Sequence, residues 1–95
     1  PLAERAVEGM CFDKVFMGTN SLCLEMGVTT PNLTEAQIKR KVIEVSRQAI
    51  LVCDATKFGK AAAITVCPLE KARIITDSLP DESYRRYTVI EEVQA

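Results

Sequence analysis

The chain has 95 residues, 47% hydrophobic and 26% charged, the balance of one small globular domain and not of a disordered tail, a rod or a disulfide-knotted toxin. Twelve Lys and Arg against thirteen Asp and Glu leave a net charge of −1, so bulk charge attracts neither nucleic acid nor an anionic membrane. There is no His, which excludes imidazole general bases, Ser-His-Asp triads, Cys-His dyads and His-rich metal sites within this chain.

The first residues, Leu2 to Met10, read as a short helix with Leu2, Ala6 and Met10 on one stripe and Gly9 weakening its last turn. Asp13 to Gly18 reads as a strand. Residues 18 to 32 are polar and punctuated by Gly, so a long connection is expected there, and long loops inside compact domains are usually functional or mobile. The next helix carries a start signal: Thr34 as N-cap with Gln37 three residues on, and Leu33 with Ile38 as a hydrophobic staple. Ile38, Val42, Val45 and Ala49 then repeat at helical spacing as a buried stripe, while Glu35–Lys39 and Arg40–Glu44 pair on a solvated outer face.

Ala49 to Asp54 is a continuous apolar run ending on an acid, which fits a strand covered on both faces, as in parallel sheets. Strand, connection, helix and strand make a βαβ unit with a right-handed crossover. Another strand is expected at Ile64-Thr65-Val66, a helical turn at Pro68 to Ala72, a strand at Arg73 to Asp77, and a short helix from Leu79 to about Tyr84. Thr88 to Val93 suits a terminal strand or a tail. The fold class is therefore α/β, an open and mainly parallel sheet with flanking helices.

Cys11, Cys23, Cys53 and Cys67 form no C-x-x-C pair, which argues against a zinc ribbon or a thioredoxin-type site and for four reduced thiols in a cytoplasmic protein. No metal or cofactor is expected. No signal peptide and no apolar run of membrane-spanning length occurs in the sequence. The chain opens on Pro1 and not on Met, so a piece of a longer polypeptide is expected.

In an open α/β sheet, ligands bind outside the carboxyl ends of the strands. Three loops should emerge there: Gly18-Thr19-Asn20-Ser21, Asp54 to Lys60, and Asp77-Ser78. The second is the richest in chemistry. Asp54 can accept from sugar hydroxyls, Thr56 can donate or accept, Lys57 can neutralise a phosphate or carboxylate, and Gly59 permits a tight turn. The plain alternative is a solvated turn closed by an Asp54–Lys57 ion pair. Gly18 to Ser21 is neither a G-x-G-x-x-G nor a P-loop, and Asn and Gly are ordinary turn formers.

Asp13 to Gly18, Gly27-Val28-Thr29-Thr30-Pro31, Glu35-Ala36 to Arg40, and Asp54-Ala55-Thr56-Lys57-Phe58-Gly59 resemble, in this order, the C-terminal effector domain of DeoR-family transcriptional repressors. Pro1 to Ala6 resembles the helix that precedes this region. The resemblance covers about residues 1 to 80, and the D-x-[ST]-K-F-G element is its most specific part. It implies a sensor that binds a phosphorylated sugar and controls an attached N-terminal helix-turn-helix. The implied fold is shared with ribose-5-phosphate isomerase A and glucosamine-6-phosphate deaminase. The family domain begins upstream of Pro1, so residues 1–95 would be a partial sensor domain. The helix-turn-helix, through which alone DNA would be bound, would lie outside it.

Two departures stand out. Gly18-Thr19-Asn20-Ser21-Leu22-Cys23 replaces a pattern close to G-A-N-G-[IV]-D, so Cys23 stands where the family tends to carry an acid. Against the A-x-x-R-E-K helix of the isomerases, Arg40 falls where the catalytic glutamate would be, and an arginine with pKa above about 12 cannot abstract a sugar α-proton. The resemblance thus implies a binding domain and not an enzyme. Lys57 would meet the phosphate, Asp54 and Asn20 the hydroxyls, and Thr56 and Gly18 would complete the effector site. Self-association into a homo-oligomer is expected, and outer apolar residues such as Met10 suit either an interface or the core. A phosphosugar isomerase or hydrolase fragment, with Glu25 or Glu35 as base, is the alternative. A third is an oligomerisation module with a decayed pocket, for which Cys23 and Ser21 speak.

Overall fold

The computed structural model describes residues 5, 6 and 9–94. Arg5 and Ala6 are helical, and the rest of the helix expected over Leu2 to Met10 falls largely outside the described residues. Seven strands follow in chain order: β1 (Phe12–Met17), β2 (Ser21–Cys23), β3 (Gly27–Thr30), β4 (Ser46–Cys53), β5 (Ile64–Cys67), β6 (Arg73–Thr76) and β7 (Ile90–Glu92). Helix α1 (Leu33–Glu44) separates β3 from β4, and 3-10 turns occupy Ala55–Lys57, Leu69–Lys71 and Glu82–Arg86.

The strands form two sheets. β1, β4, β6 and β7 lie side by side in that order, every neighbouring pair parallel. β2, β3 and β5 form a separate antiparallel sheet. The strand expected at Ile64-Thr65-Val66 is present, but it belongs to this smaller sheet. Helix α1 packs on β5, β4 and β3, so it bridges both sheets. Core side chains come from both: Leu22 and Val28 from the small sheet, Leu51 and Ile74 from the parallel one, with Leu69 between, all essentially sealed from solvent.

The connection expected over residues 18 to 32 is largely a hairpin. Ser21, Leu22 and Cys23 pair with Thr29, Val28 and Gly27, and all six are buried. Gly27 closes the three-residue turn at φ 75°, a left-handed backbone that suits glycine after such a turn. A Cβ there would stand 2.5 Å from the Cys67 carbonyl oxygen, so the position also needs glycine for close approach.

Helix α1 begins two residues earlier than the T-x-x-Q pattern predicts. Asn32 is the N-cap, its Oδ1 accepting from the Glu35 N–H at 2.9 Å, while the Asn32 N–H donates to the Thr30 hydroxyl at 3.2 Å. Asn displaces Thr because its carbonyl oxygen reaches the first-turn amides directly. The expected stripe is also corrected. Ala36 is the helix's one buried residue, Ile38, Val42 and Val45 are only half-buried, and Ala49 belongs to β4. The Glu35–Lys39 pair forms at 2.7 Å, whereas Glu44 lies 3.9 Å from Lys41 and Arg40 turns instead to the β5 carbonyls.

Along β4 the inner face (Ala49, Leu51, Cys53) meets the core, and on the opposite face Ile50 is buried while Val52 is exposed. Phe16 is 63% exposed, Val52 47% and Phe12 37%, so these three apolar side chains meet solvent. The four cysteines are free thiols: Cys11 exposed, Cys53 half-buried, Cys23 and Cys67 buried. No described helix is long and apolar enough to cross a membrane.

Candidate functional site at the sheet's carboxyl edge

Because β1, β4 and β6 run parallel, the loops after Met17, Cys53 and Thr76 leave from the same end of the sheet, and short bonds stitch them together. Asp77 Oδ1 accepts from the Ala55 N–H at 2.9 Å, tying the β6 loop to the start of the β4 loop. The end of the β4 loop is tied to the hairpin: the Gly59 N–H donates to the Leu22 carbonyl at 2.8 Å, Lys60 N–H does so at 3.3 Å, and Phe58 bridges to Leu22.

Within the β4 loop, Asp54 caps the 3-10 turn Ala55–Lys57. Its Oδ1 accepts the Thr56 N–H at 2.8 Å and the Thr56 hydroxyl as well. These two bonds from Thr56, with Lys57 and Lys60 nearby, hold the Asp54 carboxyl below the ordinary range. Lys57 closes the turn, half-buried, its N–H donating to the Asp54 carbonyl at 3.2 Å. The Asp54–Lys57 ion pair of the plain alternative does not form within 4 Å. The Thr56 donors lie closer to the carboxylate in the chain and satisfy it first. Phe58 is buried edge-on against Tyr84, ring centroids 4.9 Å apart, and the Tyr84 hydroxyl accepts a second bond from the Gly59 N–H at 3.0 Å.

On the other side, Gly18 and Asn20 belong to a ring of bonds with α1. Lys39 Nζ donates to the Gly18 carbonyl at 2.8 Å and pairs with Glu35. Glu35 Oε2 accepts from the Thr30 hydroxyl at 3.3 Å, and Thr30 accepts from Asn20 Nδ2 at 2.9 Å. Lys39 is the main cause of a lowered Glu35 pKa. Asn20 therefore spends its amide on Thr30 and keeps Oδ1 out of that bond. All five residues singled out in the sequence lie on this edge: Gly18 and Asn20 in one loop, Asp54, Thr56 and Lys57 in the other. Lys39, Thr30 and Tyr84 were not foreseen as its supports. The Glu35–Lys39 spacing was visible but read as a solvated pair, and nothing local marks Tyr84.

Three clefts among the described residues lie elsewhere, and Lys57 lines none of them. Burial, reinforced at Cys53 by Asp54 and Asp77, pushes the Cys53 and Cys67 thiols up to about 11, so both are protonated and unreactive at neutral pH. No grouping of Cys, Asp and Glu among the described residues has the arrangement of a metal site.

The α/β fold with its mainly parallel sheet is the one that the resemblance to these effector domains implies. The family profile of the DeoR C-terminal sensor domain matches residues 1–78. The chain belongs to the DeoR C-terminal sensor domain family. Among curated relatives, this DeoR sensor domain is 38% identical over 86 residues to the HTH-type transcriptional regulator GlpR of Haloferax volcanii, covering 90% of the chain and 34% of the relative. It is 33% identical over 76 residues to the HTH-type transcriptional regulator IolR of Bacillus subtilis, covering 79% of the chain and 30% of the relative. The DeoR sensor domain thus spans about a third of the length of the curated relatives it matches.

Proposed function

We propose that this chain is the effector-sensing part of a transcriptional regulator and that its ligand is a phosphorylated sugar received at the rim of the parallel sheet. Lys57 meets the phosphate, and Asp54 and Asn20 Oδ1 accept from sugar hydroxyls. Thr56 fixes the Asp54 carboxylate, and the Gly18 loop forms the opposite wall. The observation that carries this reading is the double pinning of the β4 loop, by Asp77 at Ala55 and by Leu22 and Tyr84 at Gly59. A cation on so short and fixed a turn is pre-positioned, and charge-assisted bonds to phosphate are the strong class of hydrogen bond.

Two features support binding without catalysis. Glu35, one of the two candidate bases of the enzymatic alternative, is paired with Lys39 and bonded to Thr30, and its lowered pKa opposes proton abstraction, while the other, Glu25, is exposed in the hairpin turn between β2 and β3. Arg40, at the position of the isomerase glutamate, donates to the carbonyls of Thr65 and Val66. In the proposed regulator, DNA is bound by a helix-turn-helix outside residues 1–95, and subunits self-associate. The effector acts by binding one arrangement of the subunits better than another, since equal affinity for both would shift nothing.

Lys57→Met in the full-length regulator tests the assignment. The variant should fold and hold operator DNA as before but lose its release by a panel of hexose and pentose phosphates. Release by the same panel at unchanged concentrations would reject the role of Lys57. Unphosphorylated sugars releasing the wild-type protein equally well would reject the phosphate.

A further inference from the structure

At the amino-terminal end of the parallel sheet, away from the rim, lies a cleft of about 540 Å³. It sits between the last turns of α1, the start of β4, and the end of β5 with the turn that follows. Its volume falls in the range of small-molecule sites, roughly 300–1,000 Å³. Ile43, Ala49 and Val66 supply apolar lining, and three cations, Arg40, Arg47 and Lys71, line it against the single carboxylate of Glu44, whose ion pair is with Lys41 outside the lining.

The cations are unequal. The Arg40 guanidinium is oriented in advance, Nε donating to the Val66 carbonyl at 3.3 Å and Nη2 to the Thr65 carbonyl, which leaves other N–H donors of the fork unspent. Arg47 lies 3.7 Å from Asp13 in an exposed pair, the kind that holds a side chain weakly. The helix end that borders the cleft repels an anion less than a bare carbonyl terminus would. The Val45 N–H covers the Lys41 and Ile43 carbonyls, and the Ser46 hydroxyl donates to the Val42 carbonyl at 2.6 Å.

We propose that this cleft is a second ligand site, taking a small organic anion in which a compact apolar body carries a carboxylate or phosphate group. The apolar body rests on Ile43, Ala49 and Val66, and the anionic group is received by Arg40 and Lys71. Ala49 in β4 and Asp54, the first residue past its end, are five residues apart along an extended backbone, roughly 16 Å, so the cleft and the rim do not share a ligand.

Titration of the 15N-labelled chain with benzoate and phenyl phosphate, against the neutral analogues benzamide and benzyl alcohol, tests this. Either anion should produce saturable shifts at the amides of Ala49, Val66, Cys67 and Lys71, with binding about ten-fold tighter than that of the neutral analogues. The better of the two anions identifies the preferred headgroup. Lys71→Gln, an exposed change whose fold is checked in the same spectra, should weaken the anions several-fold and leave the neutral analogues unaffected. Equal shifts from charged and neutral probes, shifts confined to residues 54–60, no saturation at millimolar probe, or full retention in Lys71→Gln would each overturn the proposal. The amides at the cleft and the rim report separately, so failure of the effector reading leaves this test intact.

Discussion

At Asp54 one carboxylate oxygen takes both the backbone N–H and the hydroxyl of Thr56, and this sets the shape of the turn that carries Lys57. A carboxylate stabilised in the folded state has its pKa depressed there, so its contribution is present above the ordinary value near 3.8 and is lost as pH falls through the lowered folded value. Thr56→Val removes the hydroxyl and should move the Asp54 midpoint, followed by 13C NMR of the carboxyl carbon, up toward 3.8. An unmoved midpoint would show that the hydroxyl bond contributes nothing. The chemistry of this loop was legible in the sequence, as D-x-T-K followed by Phe-Gly. The use made of it differs from the expected Asp54–Lys57 pair: Asp54 bonds Thr56 two residues on, and that local partner outcompetes Lys57.

At the scale of elements, β4 and β6 were readable because each is a largely apolar run followed by an acid, and β1 by its Val-Phe-Met before Gly18, whereas β7, one isoleucine and two glutamates, left strand and tail equally open. The hairpin of β2 and β3 was not readable. Strands of three and four residues are too short to show alternation, and all seven of their residues are buried, so hydrophobic and polar positions do not separate. The one usable clue was Gly27, whose left-handed backbone and tight approach to β5 should make Gly27→Ala costly, by more than about 1 kcal/mol, in urea unfolding. A midpoint equal to that of the parent would mean that the turn can relax away from Cys67. The start of α1 was misplaced because two good N-caps, Asn32 and Thr34, stand two residues apart. Asn32→Ala should therefore lower stability by about 1 kcal/mol, and Thr34→Ala by much less. The reverse order would restore the later start.

For the molecule as a whole, the sequence pointed to helices on both faces of the sheet, and among the described residues α1 covers one face. Parallel strands are almost always covered on both sides. Phe12, Phe16 and Val52, which share one side by register, form an apolar surface that water must wet. Phe16→Ser should reduce binding of a hydrophobic dye and concentration-dependent light scattering by the isolated chain, with a change in stability within about 0.5 kcal/mol. A loss of 2 kcal/mol or more would instead place Phe16 in a packed environment. Sequence periodicity could not reveal this surface, because a continuous apolar run says that a strand is buried without saying by what.

The buried hydroxyl of Tyr84, bonded to the Gly59 amide and 3.5 Å from the Leu22 carbonyl, belongs to a stretch synthesised after everything it steadies. On a ribosome the turn bearing Lys57 emerges before the tyrosine that anchors it. The family match stops at residue 78, and trimming the polypeptide at that boundary would remove the Tyr84 anchor together with the Arg85 clamp on Glu82 and Glu92. The remainder would keep every residue proposed to touch an effector while losing part of what holds them still.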